Sequence, residues 1–324
     1  MKKNLFNQTT PPHDGLDSNS VNLFLSLLDE SPWEAIHMAG KQRAEVFGDK
    51  IDACSIINAR SGNCSEDCAF CAQSAHHQAE ADIYRLLPKN EILETAQRAY
   101  DNGVRRFCIV TSGRGIESEG ELAIIASCVE SIRKIGIQPC ATLGTLDRGQ
   151  LKTLKDAGLN RFHHNIETSR RFFPNICTTH NYDERVATLN DAKDVGLSLC
   201  SGGIMGLGET MEDRADMAFA LKDIGVDSVP LNFLMPIPGT PLEDADFMTP
   251  MEALKTIALF RMILPDKEIR ICGGRVSALR DLHPMIFNAG ANGLLMGDYL
   301  TTRGRDYAMD IRMLEDLGLK LTDG

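Results

Sequence analysis

Cys64, Cys68 and Cys71 stand in the run Asn63-Cys64-Ser65-Glu66-Asp67-Cys68-Ala69-Phe70-Cys71. Three thiolates at this spacing can wrap one metal centre. A structural zinc site usually takes four protein ligands, often as two Cys-x-x-Cys knuckles, and the sequence has no matching second pair. Three cysteines on one short loop suit a 4Fe–4S cluster with one iron left open for a small molecule. The bland alternative is a structural or chance cysteine cluster. Three more cysteines fall in separate β-like runs: Arg106-Phe107-Cys108, Gln138-Pro139-Cys140 and Ser198-Leu199-Cys200. Any one alone reads as packing. Because side chains alternate along a strand, one closed barrel would bring all three to its centre. Arg270, in Glu268-Ile269-Arg270-Ile271-Cys272, sits in another such run. A buried arginine there needs an anion or a metal-bound sulfide to face. Cys272 shares its strand face with Arg270. It is expected to pack; as an extra ligand it would change the cluster type. Cys128 is expected in the core, on the apolar face of a helix.

The elements that must position these residues alternate. β-like runs cover residues 54–58, 105–111, 138–143, 160–166, 197–204, 228–234, 268–272 and 293–296. Helical patterns fill 89–101, 119–135, 147–157, 181–195, 210–223, 250–263 and 277–288, with a last helix near 306–317. Five helices end in a glycine turn, at Gly103, Gly136, Gly158, Gly196 and Gly290, where glycine supplies the left-handed cap. The predicted fold is α/β, a (βα)8 TIM-type barrel with an N-terminal helical extension. An open doubly wound sheet is the alternative, since pattern does not reveal closure. Residues 1–50 read as an arm and helices, and 51–324 as the barrel. Within the first part, residues 1–19 read as a loose arm and 21–28 as an apolar helical patch. Ser31-Pro32-Trp33-Glu34 reads as a capped helix start. The cysteine loop follows the first β run, and barrel chemistry belongs at strand C-termini.

The chain has 324 residues and a formal charge of -11. That acidity disfavours nucleic acid or an anionic membrane as partner. No stretch approaches the roughly 20 apolar residues of a membrane span. Residues 1–7 carry two lysines with no apolar run behind them, so no secretory signal is expected. A cytoplasmic, reducing location follows, and ten cysteines there need a purpose other than disulfides.

The loop, with Phe70 as its aromatic residue, resembles the signature of radical S-adenosylmethionine (SAM) enzymes. That resemblance implies an open iron chelated by SAM and reductive formation of a 5′-deoxyadenosyl radical. Further segments resemble the biotin synthase family: the runs from Cys140 to Leu146 and Cys200 to Thr210, Val229-Pro230-Leu231-Asn232, and Ala72-Gln73-Ser74 after the loop. The resemblance runs from the end of the arm to about Arg303. It implies a 2Fe–2S cluster held by Cys108, Cys140, Cys200 and, unusually, Arg270. Cys54, Cys128 and Cys177 match no role in the family.

The glycine-rich run around Ile204 is similar to the segment that supports the SAM adenine; an ordinary strand-to-helix turn is its alternative. Asn165 is implied between substrate and SAM, and Glu167 at the ribose hydroxyls, where many members carry Asp. By strand alternation the two share a face. His163 stands where some members have Asn. Arg185 matches an arginine near the SAM carboxylate; otherwise it is a solvated helix charge. Asn232 is implied on the ureido ring of dethiobiotin, and an amide offers that ring both donor and acceptor.

The implied activity is sulfur insertion into dethiobiotin, with the inner cluster as sulfur donor. Implied partners are dethiobiotin, SAM, a flavodoxin or ferredoxin electron donor, iron–sulfur assembly machinery and a second copy in a homodimer. The alternatives are another barrel-type radical SAM enzyme, resembling hydrogenase maturases or methylornithine synthase, and an iron–sulfur carrier.

Overall fold

The computed structural model describes residues 14–300 and 304–323. Of the expected loose arm, residues 1–13 lie outside the described residues. All eight β runs are strands: β1 (Lys50–Arg60), β2 (Arg106–Thr111), β3 (Gln138–Thr142), β4 (Arg161–His163), β5 (Ser198–Cys200) with β6 (Gly203–Met205), β7 (Ser228–Phe233), β8 (Glu268–Ile271) and β9 (Gly293–Leu295). They pair in parallel, and β9 returns to pair with β1, which closes the barrel and rules out the open sheet. β5 and β6 share one barrel position, since both pair with β7. Between them the Gly202 amide turns aside to donate to Asn165 Oδ1 at 3.1 Å, which interrupts the ladder. A short β10 (Lys320–Leu321), absent from the sequence reading, pairs with the first residues of β1.

The outer helices are α3 (Lys89–Asp101), α4 (Glu119–Ile135), α5 (Arg148–Asp156), α6 (Tyr182–Asp194), α7 (Met211–Ile224), α8 (Pro250–Ile263), α9 (Arg275–Leu279) and α10 (Tyr307–Asp316). All five anticipated cap glycines have positive φ. The helix expected at 277–288 is instead α9 followed by a 3-10 segment, Arg280–Ile286. Arg280 ends α9 with a φ of 48°, and Pro284 has no N–H to donate one turn back, which disfavours α geometry beyond it.

Helices α1 (Val21–Glu30) and α2 (Pro32–Phe47) precede the barrel. Ser31 occupies the cap position of α2, but its side chain makes no cap bond; Pro32 sets the first turn. α1 buries Val21, Phe24 and Leu28 on one stripe, and α2 buries Ala35, Ile36 and Ala39. They cover α8, which is therefore buried nearly all round from Ala253 to Ile263. Gly40 lets α2 also approach the chain just after the 3-10 segment, since a Cβ there would sit 2.2 Å from the Asn288 carbonyl oxygen. Arg261, fully buried in α8, donates to the carbonyls of Gly290, Leu264, Pro265 and Lys267 and to Asn292 Oδ1. A buried cation is tolerated when each donor is paired in this way. Cys128 lies in the apolar core, as expected.

Candidate active site

The strands surround a cavity of about 330 Å³. Cys108, Cys140, Cys200 and Arg270 all line it, as do Phe70, Asn165, Glu167, Ile204 and Asn232. Cys108 and Cys140 are register partners on β2 and β3. The neighbouring Cys108 thiol holds Cys140 below the usual thiol range, while burial pushes Cys108 up. Burial also pushes Cys200 up to about 11.

Arg270 has two unequal arms. Its Nη2 donates to Asp52 and, at 3.1 Å, to Glu268. Its Nη1 is buried and has no hydrogen-bond partner among the described residues. Gly293, its neighbour on β9, leaves room for the arginine stem, because a Cβ there would lie 3.3 Å from Arg270 Cβ. Glu268 also binds Arg161 with both oxygens, at 2.5 and 3.2 Å. Burial opposes charge on Glu268, yet Arg161 and Arg270 outweigh it and bring the carboxyl down to about 2. Arg106 donates to Asn160 Oδ1 at 2.8 Å and keeps a buried, unpartnered Nε. These groups sit at the N-terminal ends of their strands, so ion pairs plug the base of the barrel.

From Cys108 a file of hydrogen bonds climbs to the mouth. The Cys108 sulfur lies 3.4 Å from Thr142 Oγ1, which lies 2.8 Å from His163 Nδ1. His163 Nε2 donates to Asn165 Oδ1 at 2.7 Å, and Asn165 Nδ2 donates to Glu167 at 3.2 Å. Burial holds His163 down to about 4, so the ring is neutral and its two nitrogens divide donor and acceptor roles. The expected strand alternation does not place Asn165 and Glu167 together, because β4 ends at His163 and Glu167 has a φ of 66°. The side chains meet through that left-handed turn, a strained conformation for a residue with a Cβ. Gly203 makes the turn possible: a Cβ on it would fall 2.0 Å from the Glu167 carbonyl oxygen. Glu209 accepts from the Gly206 and Leu207 amides and pairs with Arg214, which fixes the rest of the glycine run.

Asn232 donates to the Gly203 carbonyl at 3.1 Å and accepts from the Gly273 amide at 2.9 Å. An amide has two N–H groups and two lone pairs, so one donor and one acceptor remain for a ligand. Arg185 faces an adjoining cavity of about 150 Å³ that shares His163, Asn165 and Glu167 with the first. It is mostly buried, 3.6 Å from Glu167, so it is not a solvated helix charge.

Cys64, Cys68 and Cys71 lie half-buried on the loop after β1. The loop folds on itself: the Cys64 amide donates to the Gln73 carbonyl, the Ala75 amide to Cys64, and the Cys71 amide to Cys68. Asp67 anchors it by accepting from the Thr178 and Thr179 amides at 2.9 and 3.2 Å. These bonds outweigh burial and hold the Asp67 carboxyl well below its ordinary range. Glu66 accepts from Thr179 Oγ1 at 2.8 Å and from His180 Nδ1.

Sequence reasoning missed several groups here. Cys54 and Arg106 line the main cavity, and Asp52 and Glu268 hold Arg270. The two-residue step from Asp52 to Cys54 to Ile56 is the only local signal that those positions face inward. Cys177 and His180 stand beside Cys68 with no spacing rule to announce them.

Residues 59–221 match the radical SAM superfamily, and residues 230–320 match the biotin and thiamin synthesis associated domain. The biotin synthase of Thermodesulfovibrio yellowstonii is 52% identical over 293 residues, covering 90% of this chain and 92% of that protein. That of Pelotomaculum thermopropionicum is 50% identical over 301 residues, covering 92% and 94%. The chain belongs to the biotin synthase family. Like other biotin synthases it is a radical SAM enzyme, and a 4Fe–4S cluster with SAM comes with that superfamily. Solved structures agree on the fold: methylornithine synthase has a TM-score of 0.79 at 22% identity, covering 95% of this chain and 94% of that one. The FeFe-hydrogenase maturase of Carboxydothermus hydrogenoformans has a TM-score of 0.80 at 18% identity, covering 95% and 76%. No helix among the described residues is long and apolar enough to cross a membrane.

Proposed function

We propose that the chain converts dethiobiotin to biotin by sulfur insertion, with an outer 4Fe–4S site at Cys64, Cys68 and Cys71 and an inner 2Fe–2S site at Cys108, Cys140, Cys200 and Arg270. The observation that carries this reading is one cavity lined by five buried thiols, those of Cys108, Cys140 and Cys200 among them, and by an arginine with an unpartnered Nη1. A neutral or anionic group in the cavity would satisfy that nitrogen, so the residues present fit such a cluster. When bound, the two clusters and SAM supply a one-electron route to a carbon radical and the sulfur that meets it.

The chain's own residues bind and orient. Asn232 takes the cyclic urea with its remaining donor and acceptor. Asn165, fixed by His163 and the Gly202 amide, stands between the two ligands. Glu167 accepts the ribose hydroxyls, Ile204 and its glycine neighbours bear the adenine, Phe70 closes the mouth, and Arg185 meets the SAM carboxylate. Asp52 and Glu268 keep Arg270 from turning away. Exclusion of water follows from burial of the lining, and it keeps a radical from abstracting elsewhere.

The proposal extends to a flavodoxin or ferredoxin reductant, to iron–sulfur assembly machinery that rebuilds the inner site, and to a cytoplasmic homodimer. The test is incubation of reduced, reconstituted protein with SAM and dethiobiotin. Biotin and 5′-deoxyadenosine are expected. Absence of deoxyadenosine would favour a carrier, and deoxyadenosine formed only with another substrate would favour the maturase class.

A further inference from the structure

The loop bearing the cysteine triad leans on residues 176–181, where two groups have no part in the function above. Cys177 is buried, and its sulfur lies 3.9 Å from the Cys68 sulfur. It lies 3.3 and 3.7 Å from the two ring nitrogens of His180. Ligand atoms from Cys68, Cys177 and His180 all fall within 4.8 Å of one another. Two sulfurs and an imidazole form a donor set suited to a borderline-soft divalent ion. Around a tetrahedral zinc, bond lengths of about 2.3 Å to sulfur and 2.0 Å to nitrogen give ligand separations of about 3.8 Å and 3.5 Å. The two separations made by Cys177, 3.9 Å to the Cys68 sulfur and 3.7 Å to His180 Nε2, agree within a few tenths of an ångström.

The surroundings support the same use. His180 Nδ1 donates to Glu66, which leaves Nε2 to face an ion in a carboxylate–histidine–metal arrangement. Arg185 Nε now donates to that Nε2 at 2.9 Å and must release it, while its Nη1 keeps the Asn165 carbonyl at 2.8 Å. Two thiolates with Glu66 and Asp67 balance a divalent ion with Arg185 and Arg114, which lies 3.7 Å from Glu66.

We propose that the cluster-free chain binds one zinc-like divalent ion through Cys68, Cys177 and His180. Because Cys68 serves both, this ion and the outer cluster exclude each other; only that exclusion rests on the role assigned above to Cys68.

The test uses the full chain, stripped of iron without oxygen and titrated with Co²⁺. One equivalent is expected to give thiolate-to-cobalt absorption that Zn²⁺ bleaches. Changes outside the first ligands already cost about 10–100-fold in metal affinity, so Cys177→Ala and His180→Gln are each expected to weaken binding by more than about 100-fold. The double variant Cys64→Ala/Cys71→Ala is expected to bind as before. Binding that survives Cys177→Ala and His180→Gln, or that fails in the double variant, overturns the site. X-ray absorption of the zinc-loaded wild type guards against a misfolded variant: two sulfurs with nitrogen are expected, and three sulfurs without nitrogen sink the proposal. Zinc-loaded chain given iron and sulfide is expected to develop no outer-cluster EPR signal until zinc is chelated. A full signal with zinc still bound overturns the exclusion and, with it, the assignment of Cys68 to the outer cluster, while leaving the ion site itself standing.

Discussion

The two cysteine sets are built in opposite ways. Cys64, Cys68 and Cys71 are close in sequence, half-buried, and held by a loop that depends on side chains from another loop, above all Asp67 against Thr178 and Thr179. Cys108, Cys140 and Cys200 are far apart in sequence, buried, and held by strands whose register already fixes their places. A loop-built site is legible from spacing and vulnerable to loss of a few hydrogen bonds. A strand-built site is illegible until the barrel closes, and then it is as rigid as the fold itself.

The sharpest way to break this contrast is to delete a thiol on each side. Cys71→Ala is expected to abolish 5′-deoxyadenosine formation while the visible absorption of the inner site persists. Cys140→Ala is expected to do the reverse, with deoxyadenosine still formed and biotin lost. Loss of both signals in either variant would mean that the two sites are not independent.

Supporting residues come next. Asp52→Asn frees one restraint on Arg270 and is expected to weaken retention of inner iron by about 10–100-fold, as changes behind a metal ligand do. Iron and sulfide counts after timed chelation measure it. Asp67→Ala leaves two backbone amides without their acceptor and is expected to lower stability by about 1–3 kcal/mol. Urea unfolding of the cluster-free chain reads that loss, and faster release of outer iron should accompany it.

Smaller effects sharpen the inner side. Cys272 lines the cavity within an apolar cluster that includes Cys54 and Leu295, and burial pushes its thiol up to about 12. Cys272→Ala is expected to leave the Mössbauer spectrum unchanged and to cost about 1 kcal/mol. A changed spectrum would make Cys272 a ligand. The acid side of the stability profile offers the mildest test. Folded His163 titrates at about 4, below its unfolded value, so the unfolded chain binds a proton first as pH falls. Between pH 7 and 5 this group is expected to remove about 1–2 kcal/mol of stability, and His163→Asn should flatten that slope.

Much of the barrel could be read before any coordinates. Helical periodicity and cap glycines are local, so α3, α4 and α8 fall where the pattern put them. Strand ends were less legible. β4 stops three residues short of the pattern's end because Glu167 bends away, and β5 is cut from β6 by an amide that prefers a side chain. Both departures are decided by contacts across the mouth of the barrel. For the candidate site, the triad was legible because its ligands are neighbours in sequence. Cys177 and His180 were not, since only the packing of one loop on another brings them to Cys68. Asp52 and Glu268 had no role in the sequence reading; Glu268 stands two residues from Arg270, and only barrel closure brings Asp52 to it.

The ion pairs beneath Arg270 tie three strands together at the base of the barrel, β1 through Asp52, β4 through Arg161 and β8 through Glu268. On the proposed insertion, replacement for sulfur drawn from the chamber above them would meet Arg161 and Glu268, locked together, on any route of resupply from below. Resupply would then come down through the mouth, past the residues proposed to hold SAM. On that proposal, replenishment would wait for the mouth to empty between rounds.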